Sequence, residues 1–303
     1  SGGIWTKMSD PAEETEKRAG CVTKGAETQK ENDHPQRAEK EDGKEAQIMR
    51  IAVVTGASSG MGREFVRQIP HFYSQLDEIW VTARREERLR KLQEEVDLPV
   101  RIFAGDLTSP RFLQTFREEL NRECPDIRML VNSAGFGKSG LISDLEQNSP
   151  GAQAGMISLN CQALTEMTLL CEPYFSKGSR ILQLASSAAF FPQAGFAVYA
   201  ATKSYVLSFS RALHAEWKQR GIWVTAVCPG PVDTEFFEVS GPLGSPLKKL
   251  VLADPSKVVR QALLDSRKRK PVSVYGICMK LTRLFGRLIP TEWILTIEMA
   301  GKR

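Results

Sequence analysis

Thr55-Gly56-Ala57-Ser58-Ser59-Gly60-Met61-Gly62 follows directly on the apolar run Ile51–Val54 and leads into a stretch with helical spacing. Three glycines in eight residues let the chain turn tightly and bring backbone N–H groups close to a pyrophosphate. The helix that follows points the positive end of its dipole at the same anion. A glycine cluster alone says little. Placed after the first strand of an α/β pattern, it marks a site for a phosphate-bearing cofactor.

Outward from that turn, short apolar runs alternate with longer helical stretches. Ile51–Thr55, Glu78–Thr82, Val100–Ala104, Met129–Asn132, Arg180–Ala185, Trp223–Cys228 and Val272–Tyr275 fit buried parallel strands. Between them, Arg84–Val96 repeats Leu89, Leu92 and Val96 on one helical face, and Gly151–Glu172 and Ala200–Arg220 recur in the same way. Strands alternating with helices of this length predict an α/β fold, a doubly wound Rossmann-type domain with a seven-stranded parallel sheet flanked by helices. It is expected to run over 49–303, with 235–250 as an apolar lid over the substrate and 277–303 as a C-terminal extension. Residues 1–48 differ: they are rich in Glu, Lys, Gln, Gly and Ala, and read as a disordered leader. Met49 then stands as a natural start, with the leader either part of the protein or an extension upstream of it.

Hydrophobic residues make up 42% and charged residues 25%, as in an ordinary globular chain. No run approaches the ~18 apolar residues of a membrane-spanning helix, and no secretory signal is visible. The six cysteines form no C-x-x-C pair, which predicts reduced thiols and a cytoplasmic protein. With three histidines and no ligand spacing around them, no metal site is expected. The net charge of +5 combines a leader of eight Lys/Arg and eleven Asp/Glu with a remainder at +8. That basic excess suits a phosphorylated cofactor but is too diffuse for a nucleic-acid surface.

The spacing G-x-x-x-G-x-G in TGASSGMG resembles the cofactor turn of the short-chain dehydrogenase/reductase family, and the resemblance extends over essentially all of 50–290. It implies that Gly56, Ser58, Ser59, Gly60, Met61 and Gly62 cradle a nicotinamide dinucleotide. The second strand chooses between the two nicotinamide cofactors. An acid at its end would accept bonds from the ribose 2′-hydroxyl and repel a 2′-phosphate. Here Ala83 stands in that place, followed by Arg84 and Arg85, and a guanidinium suits a phosphate by charge and by bidentate geometry. Arg84 is the favoured phosphate ligand, because Glu86 and Glu87 offer Arg85 surface partners. NADP(H) is therefore the expected cofactor. Asp106 and Leu107 resemble the family's adenine contacts. Asn132-Ser133-Ala134-Gly135 resembles its N-N-A-G signature with Ser133 in place of Asn; Asn132 is expected to tie neighbouring strands, and Ala134 and Gly135 to leave room for the ribose.

Tyr199-Ala200-Ala201-Thr202-Lys203 puts a phenol and an ammonium on one helical face. A phenol is a poor acid/base near neutral pH until a nearby cation favours its ionised form. In the family such a pair transfers the proton, and the lysine also holds the nicotinamide ribose. Matching the fifth strand to the family's pattern, and the family's usual gap of about thirteen residues before the tyrosine, both imply that the partner serine is Ser186 rather than Ser187. Asn160 resembles the fourth member of the set, a helix asparagine that holds a water linking Lys203 to solvent; on its own it reads as a helix kink. Pro229-Gly230-Pro231-Val232-Asp233-Thr234 resembles the segment beside the nicotinamide carboxamide, with Pro229, Gly230, Val232 and Thr234 as contacts.

The resemblance implies an enzyme that interconverts a ketone and a secondary alcohol, in a homodimer or homotetramer. Phe190, Phe191 and Phe196, with the apolar 235–250, point to a bulky lipophilic substrate such as a steroid, a long-chain 3-oxoacyl compound or an aromatic ketone. The alternative is a protein that senses NADP(H), or acts as a scaffold, without turnover. Two readings also compete for 277–295: a basic amphipathic helix on a membrane surface, and, favoured, a helix packed on a partner subunit or the lid.

Overall fold

The computed structural model describes residues 48–236 and 252–288, together with 290, 292, 293, 295 and 296. The expected leader up to residue 47, and 237–250 of the expected lid, lie outside the described residues.

β1 (Arg50–Thr55) is buried from Ile51 onward, and its side chains divide between two cores. Ala52 and Val54 pack with Phe65 and Ile69 of α1 (Gly60–Phe72) and with Leu89 and Leu92 of α2 (Glu86–Glu94). On the other face, Ile51 and Val53 pack with Phe116 and Leu120 of α3 (Pro110–Glu123). A strand covered on both faces needs an apolar residue at every position, so it reads as a continuous run. β2 (Glu78–Ala83), β3 (Val100–Ala104), β4 (Asp126–Asn132), β5 (Arg180–Leu184), β6 (Trp223–Val227) and β7 (Val272–Ser273) complete a sheet ordered β3-β2-β1-β4-β5-β6-β7. Every pairing is parallel. The remaining helices are α4 (Ile142–Asn148), α5 (Ala152–Ile157), α6 (Leu164–Cys171), α7 (Ala197–Trp217), α8 (Pro255–Arg267) and α9 (Ile277–Leu288). Helices thus cover both faces of one doubly wound sheet.

Details differ from the sequence expectations; β4, for one, begins at Asp126 rather than Met129. The helical stretch expected over Gly151–Glu172 is α5 and α6 joined by a π-helical turn, Ser158–Ala163, with Asn160 inside it. β7 stops at Ser273 rather than Tyr275, because its neighbour β6 ends at Val227, the partner of Ser273. Cys161, Cys171, Cys228 and Cys278 are free thiols.

The chain leaves β1 toward β2 and β3 on one side and returns to β4 on the other. The C-terminal ends of β1 and β4 therefore flank a switch point, the place where open α/β sheets bind ligands.

Candidate active site

The Gly-rich turn and the Asn132–Gly135 segment leave the sheet on either side of that switch point. Gly56 has φ +68°, and a Cβ there would stand 2.7 Å from the backbone of Ala134, so only glycine lets the two loops touch. Thr55 Oγ1 clamps them, accepting the N–H groups of Ser133 and Ala134 at 3.1 Å each. Ser59, the N-cap of α1, makes no side-chain cap bond, which leaves the first-turn N–H groups to an anion. Gly60 lies close to the side chain of Thr234, with a Cβ there standing 3.4 Å from it, so the turn and the Pro229–Thr234 segment meet at this point. The Met61 side chain packs into the core, and Val232 is buried beside its bridge to Ala253. Gly230 packs close to Met279 of α9, and Pro229 accepts the Ser187 N–H at 2.7 Å.

At the end of β5, Ser186 Oγ caps a 3-10 turn by accepting the Ala188 N–H at 3.1 Å. That bond uses a lone pair and leaves the hydroxyl hydrogen to donate. Tyr199, 7% exposed on α7, lies beside it. Burial pushes the phenol up to about 12, and the Ser186 hydroxyl pulls it the other way. Lys203, one turn along and 5% exposed, donates to Leu184 O at 2.7 Å, and its Nζ lies 5.7 Å from the centre of the Tyr199 ring. Burial lowers its ammonium to about 8. Burial is the larger effect on the phenol, and Lys203 Nζ lies over the face of its ring.

Asn160 is fully buried. Its Oδ1 accepts the Phe136 N–H at 3.0 Å, while Nδ2 donates to Phe136 O at 2.9 Å and Thr202 Oγ1 at 3.1 Å. The side chain therefore fastens the loop after β4 to α7. Gly135 sits between Asn160 and Lys203: a Cβ there would stand 2.8 Å from Asn160 Oδ1 and 3.4 Å from Lys203 Nζ. Asn132, expected to tie neighbouring strands, instead reaches α6, donating to Thr168 Oγ1 at 3.0 Å.

The structure separates the two arginines after β2 differently from the sequence reading. Arg85 donates to Ser59 Oγ at 2.9 Å and Ser58 Oγ at 3.2 Å, which brings it onto the Gly-rich turn. Its carboxylate partner is Glu235, at 3.2 Å, while Glu86 pairs with Arg90. Arg84 is exposed and acts on Asp106, whose carboxyl is held below its ordinary value first by the N–H and hydroxyl of Thr108. Leu107 is buried in the core.

Aromatic rings enclose the hydroxyl end. Phe196 stacks on Tyr199 with centroids 4.3 Å apart, and Phe236 lies 5.6 Å away. Phe196, Phe236 and Tyr199 all converge on Gly137. Phe190 and Phe191, expected in the same pocket, line a different cavity of about 420 Å³ with Leu295. They point there because the 3-10 turn after Ser186 packs against α9 at Gly286. The opposite side of α9 exposes Ile277, Leu281, Leu284, Phe285 and Leu288. Among the described residues no helix is long and apolar enough to cross a membrane, and no group of His, Cys, Asp or Glu could hold a metal.

Sequence reasoning missed Thr55, Thr168, Arg88, Phe136, Phe236 and Glu235. Arg88 was within reach, since it lies three residues beyond Arg85 at helical spacing and shares its partner Glu235. The others act through contacts between distant segments, which local spacing does not report.

A family model described as short chain dehydrogenase matches residues 50–242. The NADP-dependent 3-hydroxy acid dehydrogenase of Escherichia coli is 31% identical over 192 residues, 62% of this chain and 75% of its own length. Sulfoacetaldehyde reductase 2 of Chromohalobacter salexigens is 33% identical over 195 residues, covering 61% of this chain and 74% of its own. A short-chain dehydrogenase from Sphingobium yanoikuyae, solved in complex with NADPH, superposes with a TM-score of 0.67 at 27% identity, over 79% of this chain and 94% of that one.

Proposed function

This chain belongs to the short-chain dehydrogenase/reductase family, and within that family of oxidoreductases we propose that it interconverts a lipophilic ketone and its secondary alcohol with NADP(H). The fit of a dinucleotide rests on the uncapped first turn of α1 and on Gly135, where any side chain would crowd Asn160 and Lys203. When bound, the nicotinamide supplies or accepts the hydride at the substrate carbon. Tyr199 stays protonated up to about 12, so it has a proton to give the substrate oxygen during reduction. Ser186, with its lone pair held by Ala188, turns its hydrogen to the same oxygen and stabilises charge developing there. Lys203 has donors to spare beyond Leu184 for the ribose hydroxyls, and in its charged form it favours the phenolate left on Tyr199. Asn160 positions the loop behind both.

The NADP(H) preference is supported by Arg85 on the Gly-rich turn and by Ala83 where an acid would repel a phosphate. Two of the relatives are named for NADP or hold NADPH. A lipophilic substrate is supported by Phe196 and Phe236 around Tyr199. A homodimer or homotetramer is supported by the exposed apolar side chains of Ile157, Leu169 and Tyr205 on α5, α6 and α7.

One observation carries the reading: a buried lysine fixed at the end of β5, beside the serine and tyrosine that meet there. The test is NADPH oxidation over a panel of steroid, 3-oxoacyl, aromatic and small polar carbonyl compounds. The bulky ketones should turn over, and Tyr199→Phe should slow them about 10²–10⁴-fold while NADPH still binds. Activity confined to small sugars would contradict the substrate class. NADPH binding by the unaltered protein with no turnover of any carbonyl would favour the sensing alternative.

A further inference from the structure

Glu235 lies directly after Thr234, and its carboxylate is held 2.5 Å from Arg88 Nη1 and 3.2 Å from Arg85 Nη1. The same Arg85 bonds Ser58 and Ser59 of the Gly-rich turn. Ser58, Arg63, Arg88, Lys91 and Glu235 line one cavity of about 300 Å³. Its remaining acid, Glu95, is taken by Arg67 at 2.6 Å. Arg63, Arg85, Arg88 and Lys91 are thus balanced chiefly by a single carboxylate, and Arg88 and Arg85 hold that carboxylate below its ordinary pKa.

We propose that Glu235 is a built-in anion that occupies the Arg85–Arg88 pair until a phosphate monoester, the 2′-phosphate of NADP(H), displaces it, so that Glu235 is a determinant of cofactor choice. The inference rests on the dinucleotide reading above. A phosphate monoester carries about −1.5 to −2 charges and three acceptor oxygens, against one charge and two oxygens for a carboxylate. It therefore matches two guanidiniums better. The ion pairs it would replace are partly exposed, and such pairs are weak enough to exchange. A dinucleotide without the 2′-phosphate leaves them intact.

The experiment is a set of equilibrium titrations of the full chain with NADPH, NADH, 2′,5′-ADP and 5′-AMP, using wild type, Glu235→Gln, Arg88→Gln and the double variant. Glu235→Gln should bind NADPH and 2′,5′-ADP about three- to tenfold more tightly, and NADH and 5′-AMP within about twofold of wild type. Arg88→Gln should weaken NADPH binding and shrink the gain from Glu235→Gln. The latch alone is overturned if wild type prefers NADPH while Glu235→Gln leaves that affinity unchanged or weaker, or tightens all four ligands equally. A wild type that binds NADPH no better than NADH overturns the NADP(H) reading and the latch together.

Discussion

An ammonium stripped of water gives up its proton more easily than one in solution, and burial brings Lys203 from an ordinary 10.5 to about 8. Between those two values the unfolded chain carries a proton at this position that the folded chain lacks. Stability therefore rises with pH across that window on account of Lys203. Tyr199 works in the opposite sense higher up: raised from 10.0 to about 12, it makes the folded chain keep a proton that the unfolded chain has lost, and stability falls there. Lys203→Met should remove the first effect. Urea midpoints of wild type and variant, measured at intervals from pH 7 to 10, should diverge upward for wild type; parallel profiles would show that the lysine titrates normally. The residue identities at this scale were legible: Tyr199, Lys203 and Ser186 stand together as spacing and resemblance proposed. Their electrostatics were not, because i, i+4 spacing fixes a shared face but not whether the cation lies at the hydroxyl or under the ring. The same gap explains Arg84 and Arg85, whose order in the chain does not reveal which one turns toward Ser58.

Between elements, much of the site's geometry depends on one threonine. Thr168 of α6 accepts Asn132 Nδ2 at 3.0 Å and Gln183 Nε2 at 2.9 Å, and donates to Leu164 O at 2.7 Å. It joins the ends of β4 and β5, from which the Asn132–Gly135 and Ser186 segments emerge. Thr168→Val keeps the shape but strands the buried Gln183 amide and leaves Asn132 only the longer bond to Leu164 O at 3.4 Å, at a cost of about 1–3 kcal/mol. Chemical denaturation should show that loss, and NADPH affinity should fall with it; Thr168→Ser should retain both. An unchanged Thr168→Val protein would mean that the amides find other partners. The helices around this hub were legible as amphipathic periods, but the π turn that divides α5 from α6 was not. Its cause is Asn160 bonding across to Phe136 and Thr202, an interaction between segments that a window of local sequence does not contain.

Across the whole molecule, the seven-stranded parallel sheet was within reach because its strands read as apolar runs buried on both faces, and the glycine turn fixes which end binds phosphate; the order of the strands was not legible. The pairing of exposed surfaces was not, since an exposed apolar face looks the same in sequence whatever covers it. Ile157, Leu169 and Tyr205 predict association of identical chains through α5, α6 and α7; light scattering should give at least twice the 33.7 kDa chain mass, and Leu169→Glu should lower it. A monodisperse 33.7 kDa species in the wild type would contradict that assembly. In the proposed reaction a hydride passes from NADPH to a ketone carbon while Tyr199 protonates the oxygen. It is tested most directly by turnover of a bulky ketone with NADPH deuterated on the transferring position, followed by mass analysis of the product. The expected product is an alcohol with one deuterium on the carbinol carbon, formed by wild type and about 10²–10⁴-fold more slowly by Tyr199→Phe. An alcohol without the label, or a Tyr199→Phe rate equal to wild type, would contradict it.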